Sequence, residues 1–223
     1  MKAMILAAGF GTRLKPFTET HPKALIPYHG KPMILHQIER LKKAGVEEIV
    51  VNAHHFSEQI IDYFSNNRFG IKGSVITEDE ILGTGEGILN AKELLMGGGF
   101  FIVINVDVDT DMNLNRMLIH HESVSPLATI AVQKRRSGRY LEFTDDMRLK
   151  SRQNDDSAEK NLFAFNGIHV ISDEFLGMGF KEGFSDILNL YFEAIKKNEH
   201  FVSGYDAGDC IFKDLGKTEN LLS

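Results

Sequence analysis

The sequence has one cysteine, Cys210, in 223 residues, and no tryptophan. A single cysteine excludes an intrachain disulfide framework and is typical of proteins from a reducing compartment. No stretch reaches the ~18 consecutive apolar residues that a membrane-spanning helix needs. The apolar start MKAMILAAGFG is too short for the core of a signal peptide, and glycines and charges follow it at once. We therefore expect a cytoplasmic protein with no membrane partner.

Positive charge is also in short supply. The chain has 25 lysines and arginines against 31 aspartates and glutamates, which gives a net charge of −6. An acidic surface repels the phosphates of nucleic acids, so we expect no nucleic-acid partner. A nucleotide site is still compatible with this charge, because it needs only a few local cations. The apolar fraction of 43% is enough for an ordinary buried core.

The two commonest phosphate-binding loops are missing. There is no G-x-x-x-x-G-K-[ST], and Leu14 stands where G-x-G-x-x-G needs its last glycine. Instead, a short apolar strand (residues 4–6) leads into small residues and glycines at 7–12, whose backbone N–H groups can approach an anion. Arg13 and Lys23 add a planar fork and a mobile charge. We predict a triphosphate-cradling loop, although a plain strand-to-helix turn would also explain the glycines alone.

Helical and strand patterns alternate after this loop, which indicates βαβ units and a mainly parallel sheet flanked by helices. The most hydrophobic strand, FFIVIN at 100–105, is the best candidate for the sheet centre. Residues 134–160 are polar and predict hairpins or a mobile flap. The other predicted strands are 48–52, 73–77, 127–133 and 163–171, and the predicted helices are 32–44, 57–64, 113–121 and 185–197.

Two aspartates are candidate metal ligands. Asp107 directly follows the predicted central strand, at the strand end where open α/β sheets bind ligands. A carboxylate there can hold Mg²⁺ bound to a triphosphate. The alternative is an acidic surface turn formed by Asp107, Asp109 and Asp111. Asp214 stands alone in a glycine turn, where a capping role is the ordinary interpretation, but it is a possible partner for Asp107 on the same metal.

Several blocks occur together in a family-specific order. They are LAAGFGTRL at 6–14, PKAL at 22–25, LGTG at 82–85, FNGIHVI at 165–171 and FKDLG at 212–216. This set resembles the sugar-1-phosphate nucleotidyltransferases, also called NDP-sugar pyrophosphorylases. The resemblance implies a Rossmann-like mixed α/β sheet of the glycosyltransferase-A-like kind with a small sugar-binding lobe. It implies one domain over 1–223, with a nucleotide-binding half at 1–133 and a sugar-binding, metal-completing half at 134–223.

The resemblance also implies an enzyme that joins a nucleoside triphosphate to a sugar 1-phosphate, releases pyrophosphate and uses Mg²⁺. Catalytic roles fall to Arg13, Lys23 and Asp107, and the metal ligands would be Asp107 and Asp214. Sugar contacts are expected from Glu142, Asn166 and Gly167. Nucleotide contacts are expected from Leu6, Ala7, Ala8, Gly9, Gly11, Thr12, Arg13, Lys23, Glu78, Gly83, Thr84 and Gly85.

The sequence departs from the family pattern at three positions. Val106 replaces the usual glycine before the metal-binding aspartate, where it would crowd the triphosphate or turn the Asp107 carboxylate. Phe212 and Lys217 replace the Trp and Thr of the last block. Because of these changes, an alternative function stays open, that of a sensor that binds a nucleotide sugar without turnover.

The substrate is less well determined than the class. The sequence ends after the last block, so we expect a short member similar to N-acetylmuramate-1-phosphate uridylyltransferases, using UTP. Mannose-1-phosphate guanylyltransferases and phosphocholine cytidylyltransferases open in the same way and stay as alternatives. A phosphocholine site would need an aromatic box. We expect a monomer or a homodimer.

Overall fold

The computed structural model of the protein describes residues 1–80, 82–153, 161–181, 183–197 and 201–221. The strands are β1 (Lys2–Leu6), β2 (Pro27–Tyr28), β3 (Lys31–Pro32), β4 (Glu48–Ala53), β5 (Lys72–Thr77), β6 (Phe100–Asn105), β7 (Val108–Thr110), β8 (Ala128–Gln133), β9 (Tyr140–Phe143), β10 (Leu149–Gln153), β11 (Leu162–Ser172), β12 (Val202–Asp206) and β13 (Phe212–Asp214). The helices are α1 (Met33–Lys43), α2 (Ser57–Asn66), α3 (Gly83–Asn90), α4 (Lys92–Leu95), α5 (Leu114–Val124), α6 (Asp173–Leu176), α7 (Ile187–Ile195) and α8 (Thr218–Leu221).

The main sheet is mixed. Its strands follow the order β5-β4-β1-β6-β11-β8-β12. Strands β5, β4, β1 and β6 are mutually parallel, whereas β11 runs antiparallel to both β6 and β8. Three strands lie on each side of β6, which confirms the prediction that the FFIVIN segment is the centre of the sheet. The predicted mixed α/β architecture is confirmed as well.

The long strand β11 connects the main sheet to a hairpin. Its first residues pair with β9, and β9 pairs with β10 in an antiparallel hairpin. The hairpin predicted within 134–160 is therefore confirmed for its described part, and residues 154–160 lie outside the described residues. Strands from before and after residue 133 belong to the same sheet, so the boundary between the two predicted halves falls inside it.

Helices cover both faces of the sheet. Alternate residues of β6 point to opposite sides, as the pleat requires. Ile102 and Ile104 pack in one buried cluster with Ile34 of α1. Phe101 and Val103 pack in a second cluster, to which α3, α4 and α7 contribute. A strand buried on both faces reads as a continuous apolar run, which explains FFIVIN. Among the described residues, no helix has the length and apolar character to cross a bilayer.

Two histidines are part of this core. His169 is completely buried and is hydrogen-bonded through Nδ1 to the Tyr191 hydroxyl at 2.9 Å. His121 is 2% exposed and its Nδ1 lies 2.9 Å from the Thr129 hydroxyl. Burial lowers the pKa of His169 to about 3. Burial, with the neighbouring His120 adding to it, lowers the pKa of His121 to about 4. Both rings are therefore neutral in the folded protein at neutral pH.

We expect the free energy of unfolding to fall on acidification. An unfolded histidine titrates near pH 6.5, above the folded values, so the unfolded chain binds more protons below that pH. The loss begins as the pH falls below about 6.5 and is complete below the folded pKa values. Urea unfolding at neutral and at mildly acidic pH measures it. The His121→Gln protein should show a smaller pH difference than the wild type, and an unchanged difference would contradict this assignment.

Candidate active site

The loop after β1 is held from two directions. The Ala7 N–H donates to Asn52 Oδ1 at 2.9 Å, which ties the loop to the end of β4. Gly11 has φ 63°, and a Cβ there would lie 2.9 Å from Thr18 Cγ2 and 3.2 Å from Lys23 Cβ. Only glycine combines this left-handed backbone with such a close approach. The loop is thereby packed against the segment that carries Lys23.

A cavity of about 220 Å³ opens beside this loop, which we call the smaller cavity. It lies at the carboxyl ends of the parallel strands β1, β4, β5 and β6, where α/β sheets bind ligands. Its lining includes most of the residues that the sequence predicted there. The lining residues are Leu6, Ala7, Ala8, Gly9, Lys23, Asn52, Glu78, Gly83, Thr84, Asn105, Val106 and Asp107.

A second cavity of about 730 Å³, the larger cavity, lies on the other side of the β6 terminus. Asn105 and Asp107 line both cavities, so the two meet at the end of the central strand. The predicted sugar contacts Asn166 and Gly167 line the larger cavity. The other lining residues are Arg13, Val108, Arg135, Arg136, Ser137, Gly138, Arg139, Phe165, Phe212, Asp214, Lys217, Glu219 and Asn220.

A short antiparallel pair brings the two aspartates together. Strand β13 pairs with β7 so that Asp214 lies opposite Val108. The Leu215 N–H then donates to the Asp107 carbonyl at 2.8 Å. A Cβ added to Gly216 would lie 2.8 Å from Asp107 Oδ2 and 2.8 Å from Asp214 Oδ1. Both carboxylates therefore converge on one point, which stays open because residue 216 has no side chain.

Each of these carboxylates has a cationic partner. Lys23 Nζ is paired with Asp107 Oδ2, and both side chains are largely buried. Arg13 Nη1 lies 3.2 Å from Asp214 Oδ2, and its Nη2 lies 2.7 Å from the Gly216 point. The structure thus brings together all four residues that the sequence proposed for catalysis and metal binding. Arg13 and the two carboxylates surround a single point between the cavities, and Lys23 is paired with the Asp107 carboxylate there.

This arrangement fits a magnesium ion with substrate phosphates as further ligands. Mg²⁺ prefers hard oxygen ligands and usually takes only one or two protein carboxylates. Asp107 and Asp214 supply two such oxygens at the Gly216 point. Within the part of the chain that the structure describes, no group of three His, Cys, Asp or Glu side chains forms a complete metal site. The donor set therefore suits an ion that arrives with a phosphate.

The glycines of the LGTG block have a packing role that the sequence did not reveal. The Gly85 N–H donates to the Ser185 carbonyl at 2.8 Å, and a Cβ there would lie 2.5 Å from Ser185 Oγ. Gly83 is approached closely by the same carbonyl. Thr84 Oγ1 accepts from the Ile187 N–H at 3.0 Å. Gly83 and Thr84 line the smaller cavity, but Gly85 does not, and its close packing explains the glycine.

Two asparagines of the site were missed. Asn52 links the loop to Glu78, because its Oδ1 accepts from Ala7 and its Nδ2 donates to Glu78 Oε1 at 2.7 Å. Asn105 lines both cavities. Each asparagine ends a buried apolar run, EIVVN or FFIVIN. A polar side chain at the carboxyl end of a parallel strand was the available signal.

The structure does not bring Glu142 to either cavity. Lys150 and Ser151 bond its carboxylate, with Gln153 adding a contact at 3.3 Å. These hydrogen bonds, that from Lys150 first, lower the pKa of Glu142 to about 2. Its side chain therefore stabilises the β9–β10 hairpin. The sequence pattern did not indicate this structural role, because Lys150, which pairs with Glu142, lies on the neighbouring strand β10. Gly11 and Thr12, both expected to contact nucleotide, do not line either cavity.

Val106 is accommodated without exposing its side chain. The residue is 3% exposed and packs in the same buried cluster as Ile5 and Ile38. Its N–H donates to the Leu6 carbonyl at 3.1 Å, and its carbonyl accepts from Gln37 Nε2 at 3.2 Å. The valine that departs from the family pattern thus contributes to the core beneath the site.

Comparison with known proteins identifies the family. The sequence profile of the Nucleotidyl transferase family matches residues 2–140, more than half of the chain. The chain belongs to the nucleotidyl transferase family. The resemblance seen in the sequence blocks is therefore confirmed at the level of the family.

This nucleotidyl transferase matches only part of several longer relatives. Mannose-1-phosphate guanylyltransferase 1 of Arabidopsis thaliana is 41% identical over 138 residues, which are 60% of this chain and 38% of the relative. Mannose-1-phosphate guanylyltransferase catalytic subunit beta of Danio rerio is 41% identical over 137 residues, which are 60% of this chain and 38% of the relative. The chain thus spans under half the length of these relatives.

The same fold occurs in solved structures. UDP-glucose pyrophosphorylase from Acinetobacter baumanii superposes with a TM-score of 0.84 at 19% sequence identity, covering 99% of this chain and 90% of that one. Such similarity at low identity concerns the fold alone. It confirms the nucleotidyltransferase fold that the sequence blocks predicted.

Proposed function

We propose that the protein transfers a nucleotidyl group from a nucleoside triphosphate to a sugar 1-phosphate and releases pyrophosphate. One observation carries this proposal: two cavities of different size meet at Asp107, beside the paired carboxylate of Asp214. The smaller cavity, with its glycine loop, suits the nucleotide. The larger cavity suits the sugar phosphate, because Asp107 lines it too and a second substrate bound there reaches the same carboxylate.

The reaction is an in-line displacement at the α-phosphorus. An oxygen of the sugar phosphate forms a new bond to that phosphorus, and the bond to the oxygen bridging toward the β-phosphate breaks. The electron pair of the broken bond leaves with pyrophosphate. A phosphate monoester is already ionised at neutral pH, so no protein base is required. The protein contributes position and charge neutralisation.

The cationic side chains can exchange partners when substrates bind. Lys23 and Arg13 now neutralise Asp107 and Asp214. Phosphate oxygens offer both cations charge-assisted hydrogen bonds, with Arg13 able to bind in two-point fashion. Asp107 and Asp214 would then be free to hold Mg²⁺, which would supply positive charge to the phosphates of the transition state. Lys23 braces the triphosphate, and Arg13 neutralises the leaving pyrophosphate.

We propose GTP as the nucleotide on two grounds. The first ground is that mannose-1-phosphate guanylyltransferases are among the relatives, which makes GTP and mannose 1-phosphate the first candidate pair. The second ground is Glu78, which lines the smaller cavity. An ionised carboxylate accepts hydrogen bonds but donates none. Guanine presents two neighbouring donors on one edge, N1–H and the 2-amino group, whereas uracil presents one donor between two carbonyls. UTP with N-acetylmuramate 1-phosphate, the pair expected from the sequence, is the second candidate.

Glu78→Gln should shift the preference between nucleotides. A glutamine amide both donates and accepts, so it matches uracil better and guanine worse. We expect kcat/KM for GTP relative to UTP to fall about tenfold, the effect of ~1.4 kcal/mol. Competition between the two triphosphates in one reaction measures the ratio directly. Asp79→Asn, a neighbouring carboxylate outside the cavity lining, is the control. An unchanged ratio in Glu78→Gln would exclude Glu78 from base selection.

Pyrophosphate release tests the proposed function itself. The protein is assayed with Mg²⁺ against four nucleoside triphosphates and a panel of sugar 1-phosphates, including mannose 1-phosphate and N-acetylmuramate 1-phosphate, and against phosphocholine. Release that requires both substrates supports the proposal. Nucleotide binding without release from any pair would overturn it in favour of a nucleotide-sugar sensor. Monomer or homodimer and cytoplasmic location stay predictions.

A further inference from the structure

The loop between β8 and β9 is strongly basic in an acidic protein. Residues 134–139 read KRRSGR, with four cations in six positions, although the whole chain has a net charge of −6. Arg135, Arg136 and Arg139 all line the larger cavity. Neither the proposed transfer chemistry nor the sequence blocks use any of these arginines. Such a local excess of positive charge attracts an anion into the cavity.

Arg135 anchors the loop. Its Nε donates to Asn166 Oδ1 at 3.1 Å, and its Nη2 donates to the Phe165 carbonyl at 2.7 Å. Its guanidinium also lies 4.0 Å from the centre of the Phe212 ring. These contacts join the loop to β11 and β13, the strands that carry the other cavity residues. The contacts of Arg135 are therefore structural, and they fix the position of the loop segment that carries Arg136 and Arg139.

Arg136 and Arg139 have no comparable side-chain contacts among the residues that the structure describes. Both are exposed at the cavity, and neither makes an ion pair with a residue that the structure describes. Of the three carboxylates that line this cavity, Asp107 is paired with Lys23 and Asp214 with Arg13, and Glu219 forms no ion pair with either arginine among the described residues. Within the part of the chain that the structure describes, two guanidinium groups therefore line the larger cavity without an ion-pair partner. Their planar donor forks match carboxylate and phosphate groups.

The 1-phosphate of the sugar does not account for them. In the proposed reaction, that phosphate attacks beside Asp107 and Asp214, where a Mg²⁺ held by the two carboxylates would supply the positive charge. We propose that Arg136 and Arg139 bind a second anionic group of the sugar 1-phosphate, either a carboxylate or a second phosphate. The inference rests on the proposed function and narrows its acceptor to an acidic sugar 1-phosphate, which favours N-acetylmuramate 1-phosphate over mannose 1-phosphate, whose sugar is neutral.

Matched pairs of acceptors test this inference. Glucose 1-phosphate is compared with glucuronic acid 1-phosphate and with glucose 1,6-bisphosphate, so that only the second anion differs. N-acetylglucosamine 1-phosphate is compared with N-acetylmuramate 1-phosphate in the same way. For each acceptor, KM and kcat are measured in wild type and in Arg136→Ala/Arg139→Ala. Lys134→Ala is the control, because Lys134 belongs to the same loop but lies over the Phe163 ring, 5.3 Å from its centre.

In the double variant, KM for the acidic acceptors should rise at least tenfold, while KM for their neutral partners and kcat stay near the wild-type values. The carboxylate and bisphosphate arms show which second anion is bound. Lys134→Ala should leave every KM unchanged. An equal loss for acidic and neutral acceptors would overturn the inference, because the arginines would then serve a phosphate common to all. No change at all would overturn it too.

Equilibrium binding separates this inference from the proposed function. Titration of the same acceptors into protein with Mg²⁺ and a non-hydrolysable triphosphate analogue needs no turnover. Tighter binding of the acidic member of each pair, lost in the double variant, would support the arginine site even if no pyrophosphate were released. Failure of turnover alone would then reject only the transfer reaction. Equal binding of both members would reject the inference.

Discussion

Asp107→Asn should reduce pyrophosphate release by about 10²–10³-fold, the usual cost of losing one preorganised charged contact at a transition state. The amide keeps the shape of the side chain but removes the charge that faces Lys23 and the Gly216 point. We expect the effect in kcat, because the charge matters most when the phosphates react. Steady-state assay with saturating substrates and varied Mg²⁺ measures it.

Asp109→Asn is the matched control. Asp109 lies two residues further along, where its Oδ2 accepts from the Tyr28 hydroxyl at 2.9 Å and its Oδ1 lies 3.6 Å from Arg40 Nη2. It lines neither the smaller nor the larger cavity. Its amide variant should therefore retain turnover, whatever it does to stability. Equal losses of activity in both variants, with both proteins folded, would contradict the assignment of Asp107.

Gly216→Ala should abolish most of the activity and leave the fold intact. The added Cβ would lie 2.7 Å from Arg13 Nη2 and 2.8 Å from an oxygen of each aspartate. All three are ends of flexible side chains, so they can move aside at little cost, but the carboxylates then no longer converge. Gly216 has no positive φ, so alanine suits its backbone. We expect a loss of about 10²-fold or more in kcat/KM, comparable with loss of a preorganised contact.

Gly98→Ala controls for the change from glycine to alanine. A Cβ there meets only the Phe100 carbonyl, at an ordinary 3.6 Å, and Gly98 also has no positive φ. Thermal unfolding should give similar midpoints for both variants, whereas only Gly216→Ala loses activity. If Gly216→Ala kept full turnover, the point between the two aspartates would have no part in the reaction.

Local pattern was enough to predict much of the fold. The apolar run FFIVIN correctly indicated a strand buried on both faces, because its alternate residues pack in the two core clusters on opposite sides of the sheet. The strand-to-glycine transition at residues 6–9 correctly located a cavity at the strand ends. Asp107 was found for the same reason, since it directly follows the central strand.

Long-range pairing was what the sequence could not supply. Taken alone, Asp214 fitted a capping residue, and only the β7–β13 pair brings it to Asp107. Those strands have three residues each, too short for any periodicity to show. Likewise, the family resemblance explained the glycines of the LGTG block by contact with the nucleotide. In the structure, Ser185, a hundred residues further along the chain, approaches Gly85. Such contacts depend on tertiary packing, which local propensity does not encode.

The most direct test follows the oxygen atoms of the sugar phosphate. The acceptor is prepared with ¹⁸O in the non-bridging oxygens of its phosphate and turned over with an unlabelled triphosphate, and the products are examined by mass spectrometry and ³¹P NMR. Attack of the sugar phosphate on the α-phosphorus predicts that all the label stays in the nucleotide sugar and none enters pyrophosphate. Label in pyrophosphate, or a nucleoside monophosphate formed beside unchanged sugar phosphate, would contradict the proposed transfer.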